Sequence, residues 1–281
     1  MKAAPSVVVC GNVTLDRAPG GLVAGGPAYY AGRTWRALGA SVGVLTSAAA
    51  DFPRDALDGI ESAFIPSLAT TVFENRYGEG GVRTQRVEAQ SLRLDPARLP
   101  RAWARPDVLH VAPVLGEADA VAFRRAVRPR LTGLCCQGLL RRVAPDGAVA
   151  QPPWDPDPAL LQAVDAVVLS EDDMLGQGDL LDRLAAAVPI VVFTKGVKGC
   201  DVIERGRARR VGVFPVQEVD PTGAGDVFAA GFLFALAQGE EPVEAARLGA
   251  AAASFVVEAQ GGEALPRVEG AFWRKEHVPV L

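Results

Sequence analysis

Short β-branched runs alternate with stretches of helical period along this chain, and that alternation restricts the fold more than any other feature of its 281 residues. The runs at 6–11, 41–46, 108–111, 133–136, 166–169 and 190–194 have the length and apolar density of buried strands. Residues 28–38, 118–127, 160–164 and 180–188 carry helical periodicity, and Gly39 stands where a helix is commonly closed. Repeated strand–helix–strand units require a parallel sheet covered by helices on both faces, an α/β fold. The length suits one domain, residues 1–281.

Two stretches break the rhythm. Residues 13–23 are too short and turn-rich for a helix, and residues 70–89 place two β-prone arms around Gly78, Gly80 and Gly81. Together they predict a small β flap, with lid segments at about 13–24 and 70–89. Such a flap is either a pair of surface hairpins or a lid that excludes water from a site.

Composition closes several routes. The formal net charge is −4 and the pI about 5.4, so the basic field that nucleic-acid backbones require is missing. No apolar run reaches the 18 or so residues of a membrane span. The four cysteines, Cys10, Cys135, Cys136 and Cys200, lack zinc-ligand spacing. With no charged and apolar leader at the N-terminus, a cytoplasmic setting is expected.

The chemistry concentrates in residues 218–236, EVDPTGAGDVFAAGFLFAL. Pro221 excludes a central strand there, Gly223 and Gly225 permit close backbone approach, and the run after Asp226 has the density of a buried helix. This predicts a strand–loop–helix junction whose helix N-terminus offers unpaired amides to an anion. It is neither a Walker A loop, which needs Gly-Lys-Ser/Thr, nor a dinucleotide fingerprint, whose third glycine is replaced by Phe228. Asp226 reads as a helix cap or as a base that takes a proton from an attacking hydroxyl.

DPTGAGD closely resembles the C-terminal signature of the ribokinase/PfkB carbohydrate kinases. The resemblance implies a ribokinase-like three-layer αβα sandwich, with a mainly parallel central sheet and a small β lid. It implies an anion hole at Gly223, Ala224 and Gly225 and a catalytic base at Asp226. Asp220 and Thr222 open the signature; Asp220 is either a turn residue or lies beside a monovalent-cation (K+) site. Gly11–Asp16 is similar to the family's opening strand with its hydroxyl-binding aspartate, Asp16. Gly25 and Gly26 match its di-glycine substrate motif, and Tyr30 stands where an asparagine is common. Thr194, Lys195, Gly196 and Gly199 match its nucleotide-binding turn, and residues 250–257 its adenine-flanking helix. The magnesium-organising Asn-x-x-Glu appears as Ser170-Glu171-Asp172-Asp173, with Asp173 in the glutamate position.

Residues 25–30 (GGPAYY), Gln137–Arg141 (QGLLR) and the flap sequence resemble the archaeal-type myo-inositol kinases. That implies Gln137 and Arg141 at the acceptor. Arg76, Arg83 and Arg86 on the flap either clamp a phosphorylated sugar or face solvent. The expected activity is ATP-dependent, Mg2+-assisted phosphoryl transfer to a polyol, best matched by myo-inositol. A nucleoside kinase, with Tyr29, Tyr30 or Phe73 stacking on a base, is the alternative. A degenerate nucleotide-binding protein is the third reading. A monomer and a lid-mediated homodimer both fit the flap.

Overall fold

The structure is a computed structural model that describes residues 3–77 and 83–281. Strand β1 (Ser6–Cys10) leads into a hairpin of β2 (Thr14–Ala18) and β3 (Gly21–Gly25). Helix α1 (Pro27–Ala37), β4 (Ser41–Ala48) and β5 (Glu61–Pro66) follow, then a second hairpin of β6 (Thr71–Tyr77) and β7 (Arg83–Ala89). Next come β8 (Val108–Val111), α2 (Ala120–Val127), β9 (Leu131–Cys135), α3 (Gln137–Leu140) and a ribbon of β10 (Arg142–Val143) and β11 (Val149–Ala150). Helix α4 (Pro158–Gln162), β12 (Ala166–Ser170), α5 (Leu180–Ala187) and β13 (Ile190–Thr194) continue the alternation. Strands β14 (Cys200–Glu204) and β15 (Arg207–Val211) precede α6 (Ala224–Ala237), α7 (Pro242–Val256) and α8 (Ala271–Lys275).

The apolar runs become the middle of a nine-stranded sheet of order β15-β14-β13-β12-β9-β8-β1-β4-β5. The six pairings from β13 to β5 are parallel, as continuous apolar strands between two helical layers require. Pleating splits β1 between two cores: Val7 and Val9 face α1, α6 and α7, whereas Val8 and Cys10 face α2 and α5. Helix α6 is apolar all round because it is buried all round, between the sheet, α1 and α7. It lies so close to the sheet that a Cβ on Gly133 of β9 would sit 2.4 Å from the Leu233 methyls.

The two hairpins form one four-stranded sheet, β3-β2-β6-β7, beyond the carboxyl ends of the parallel strands. The β10–β11 ribbon braces it, with Val87 donating to the Gly147 carbonyl at 2.8 Å. Gly78, Gly80 and Gly81, the expected flap turn, lie outside the described residues. Three expectations change. The segment before Gly223 is not a strand: Val219 and Asp220 instead donate to the Val257 carbonyl. Strand β5 and the antiparallel pair β14–β15 extend the sheet beyond the runs read as strands. Among the described residues no helix is long and apolar enough to cross a membrane.

Candidate active site

Parallel strands end on one edge of the sheet, and the loops beyond that edge form the cleft. At its centre is the start of α6. Gly223 precedes the helix at φ 80°, and a Cβ there would lie 2.4 Å from the Tyr30 ring. Both facts demand glycine. Asp220 braces the turn: one carboxylate oxygen accepts from Thr222 N at 2.9 Å and the other from Gly261 N at 2.9 Å. The Ala224 amide donates to the Pro221 carbonyl at 3.1 Å. The amides of Gly225 and Asp226 belong to the first turn, where no partner exists within the helix.

Gly223, the residue before the first turn, offers no side-chain cap, and Asp226 is the acidic residue of that turn. Its carboxyl is pushed up to about 7, first by removal from water, then by the negative charges of Asp173 and Asp16, with Arg141 pulling the other way. These four groups come from β2, α6, the turn after β12 and the end of α3, and the fold brings them within electrostatic range.

Asp173 closes a small ring with Ser170. Its Oδ2 accepts from both the Ser170 amide and hydroxyl at 2.8 Å, and Ser170 Oγ accepts from the Asp173 amide at 3.2 Å. Its Oδ1 is buried without a partner, and burial raises its pKa. Serine therefore performs locally what an asparagine would do. Glu171, on the same turn, faces out and pairs with Lys198 at 3.1 Å. Arg141 is buried, its guanidinium 5.7 Å from the Phe73 ring centroid and 3.5 Å from the Val114 carbonyl.

On the lid side, the Asp16 carboxylate lies over Gly25, where a Cβ would approach Oδ2 to 2.2 Å. Gly26 turns into α1 at φ 88°, and Pro27 starts the helix. Tyr30 is 2% exposed, packed in the core beneath Gly223, and its hydroxyl feels Asp16, Asp220 and Asp226. Tyr29 packs against Gly262, and Phe73 lies buried under Arg141. Gln137 opens α3, which Gly138 lets approach the Pro113 carbonyl. Arg86 lies on the ribbon at Gly147; the side chains of Arg76 and Arg83 lie outside what is described.

On the other side of Gly223 an apolar cavity of about 260 Å³ opens between the β13–β14 turn and α7. Thr194, Gly196 and Gly199 line it, joined by Phe214, Val216, Phe228 and Val257. Gly196 and Gly199 have φ 54° and 84° in that turn. Lys195 bonds Asp201, which also accepts from Arg210 at 3.0 Å, so it faces away from the cavity lining. Among the described residues no group of three or more acidic, histidine or cysteine side chains is placed to hold a metal directly.

The pfkB family carbohydrate kinase model matches residues 155–267, from α4 through the α6 loop to the end of α7. A cytidine kinase of Thermococcus kodakarensis is 25% identical over 280 residues, 91% of this chain and 97% of that protein. The inositol 3-kinase of Zea mays is 32% identical over 193 residues, 65% of this chain and about half (49%) of the maize protein. A pyrophosphate-dependent kinase of the ribokinase family, solved with sulfate, superposes with TM-score 0.77. It is 20% identical and is covered over 94% of this chain and 99% of its own. The C-terminal part of the chain, residues 155–267, thus matches the pfkB family of carbohydrate kinases.

This kinase departs from the family's common pattern in ways that have local physical reasons. Tyr30 fills space beneath the α6 loop, and the Ser170–Asp173 ring replaces an asparagine–glutamate pair. The sequence reading missed Phe214 and Val216, which line the apolar cavity from an irregular segment after β15. Only its apolar content (VGVFPV) marked it. It also missed His110, held from below by Trp35 Nε1 at 3.1 Å. Burial pulls His110 down to about 3, so the sheet floor under the site is neutral.

Proposed function

We propose that this chain transfers the γ-phosphoryl group of ATP to a hydroxyl of a small polyol, myo-inositol, with Asp226 as the general base. The observation that carries the reading is the carboxyl of Asp226. It stands at the start of α6, between Asp16 and Arg141, and is raised to about 7 by burial. A base poised near neutrality takes the acceptor proton as the new bond to phosphorus forms. Gly223, Gly225 and the positive end of α6 offer the transferred group backbone amides and a favourable field. The Ala224 amide joins them only if its bond to Pro221 opens. Asp16 and the Gly25–Gly26 turn accept and orient acceptor hydroxyls, with Gln137 and Arg141 on the opposite wall.

The donor side supports a nucleotide. An apolar cavity walled by Phe214, Val216 and Val257 suits a base and has no use for pyrophosphate. Thr194, Gly196 and Gly199 line that cavity together with Pro221, Ala224 and Gly225 of the α6 loop, which also carries Thr222, and Lys195 steadies the turn through Asp201.

The acceptor side favours a polyol over a nucleoside. Tyr29, Tyr30 and Phe73, the aromatic groups able to stack on a base, are all packed against the protein itself. The inositol 3-kinase likeness agrees with that; the full-length likeness to cytidine kinase is what favours the nucleoside alternative.

Asp173, with one buried oxygen unpartnered, fits a magnesium ion that keeps most of its waters. Magnesium, when bound, supplies charge neutralisation on the donor phosphates. Both oxygens of Asp220 accept backbone amides, which favours the turn role over that of a cation ligand.

A coupled assay of donor consumption tests the whole reading. Myo-inositol, hexoses, ribose, cytidine and adenosine serve as acceptors, and ATP and pyrophosphate as donors. The expected result is highest kcat/KM for myo-inositol with ATP. Preference for a nucleoside overturns the acceptor, preference for pyrophosphate overturns the donor, and no turnover with any pair overturns the activity.

A further inference from the structure

A second basin, about 490 Å³, is lined by Arg141, whose charge also acts on Asp226. It is assembled from four separate segments: Gln90 and Arg93 after the lid, Gly116 in the β8–α2 loop, Arg141 and Arg142 after α3, and Trp154. Its chemistry differs from that of the donor cavity. Three guanidinium groups line it and no carboxylate does. Two acids adjoin lining residues in sequence: Asp155 is exposed and pairs with Arg183 at 2.5 Å, and Glu117 is buried and turned inward. Its oxygens accept the amides of Asn12, Val114 and Leu115 at 2.8 to 3.0 Å. Arg142 spends one nitrogen on the Leu139 and Arg141 carbonyls, at 3.0 and 2.8 Å, which fixes its position at the rim. Arg93 is exposed and, among the described residues, pairs with no acidic side chain. Arg141 already faces the charges of Asp226 and Asp173, whereas Arg93 and Arg142 meet at the rim with no carboxylate of the described residues in the lining, which costs mutual repulsion unless an anion joins them.

We propose that this basin is an anion-binding site for a phosphomonoester or carboxylate group, separate from the amides at the start of α6. Arg93 and Arg142 contact the anion from the rim, Arg141 lies at the floor, and Gln90 adds a neutral donor. Two sources share that chemistry: a free small anion acting as an effector, or the charged arm of an acceptor other than the neutral polyol proposed above. Arg141 links the basin to the site, since its charge also acts on Asp226. An anion held here ties the lid exit to the loops that carry the acceptor wall.

Trp154 in the lining provides the readout. Inorganic phosphate and, in parallel, succinate are titrated into the full chain without donor or acceptor, following tryptophan emission. The expected result is a saturable change that disappears in Trp154→Phe. In Arg93→Gln/Arg142→Gln its midpoint moves up by about tenfold or more, as loss of two charge-assisted contacts predicts. Both arginines lie at the exposed rim, so the double variant folds, which its circular dichroism checks. No change with either anion overturns the site, as does a change that survives Trp154→Phe or ignores the double variant. Kinetics then assign the source. Phosphate that raises the KM of a neutral acceptor at constant kcat marks the acceptor arm, and phosphate that changes kcat marks an effector. The emission titration needs no turnover, so its failure is distinct from failure of the kinase reading.

Discussion

Asp226 ties reactivity to a cost in stability. Its pKa in the folded chain lies above the ordinary 3.8, so its contribution to folding is fully present below 3.8 and is lost as pH rises through about 7. Asp226→Asn is therefore expected to raise the unfolding temperature more at pH 8 than at pH 5, measured by thermal denaturation. The same variant is expected to lose about 10²–10⁴-fold in kcat, the usual worth of a general base. In the wild type, kcat/KM against pH should rise to a plateau through about 7, and in the variant that limb should vanish from the residual rate. A second residue-scale expectation concerns Gly25. Gly25→Ala drives a methyl to 2.2 Å from Asp16 Oδ2, so the acceptor KM rises while the donor KM holds, measured by initial rates. The glycine turn at the start of α6 was legible because DPTGAGD is contiguous and Gly223 has a narrow physical use. The unpartnered Asp173 oxygen and the aromatic packing of Tyr30 were not, because each depends on groups distant in sequence.

At the scale of elements, α6 has to do two things at once: fill the core with its body and aim its first turn at the cleft. Its height above the sheet is set by the Gly133–Leu233 contact. Gly133→Ala inserts a methyl where 2.4 Å is available, so the sheet and helix must part or strain. The expected cost is about 1–3 kcal/mol in urea unfolding, with a fall in kcat because the first turn shifts. Adding Leu233→Ala should return part of both, which a double-mutant cycle measures. The parallel strands were readable from sequence because burial on both faces leaves no alternation to misread. Strands β14 and β15 escaped because exposed charged residues such as Arg207 and Arg209 mask their partner positions. The extended segment before α6 looked like a strand because it is apolar, but its amides go to Val257 rather than to a ladder.

For the molecule as a whole, net charge and site charge are separate matters. On the proposed reading an acidic chain binds a polyanion through a few amides, so ATP and acceptor should each raise the unfolding midpoint by mass action. The gain is about 2.7 kcal/mol at a hundredfold excess over Kd, and a scan of ligand concentration checks it. Polynucleotides should give no such shift. One further consequence comes from the bond pattern around Val257. Its side chain lines the apolar cavity, its carbonyl holds the Val219 and Asp220 amides, and Asp220 reaches on to Gly261. On the proposed reading these bonds couple the seat of the base to the cradle of the phosphates, like a handle and the jaw it drives. Gripping the handle sets the jaw. A donor stripped of its base, such as tripolyphosphate, is expected to lose kcat as well as affinity, because the energy of holding the base is spent on the alignment of phosphorus.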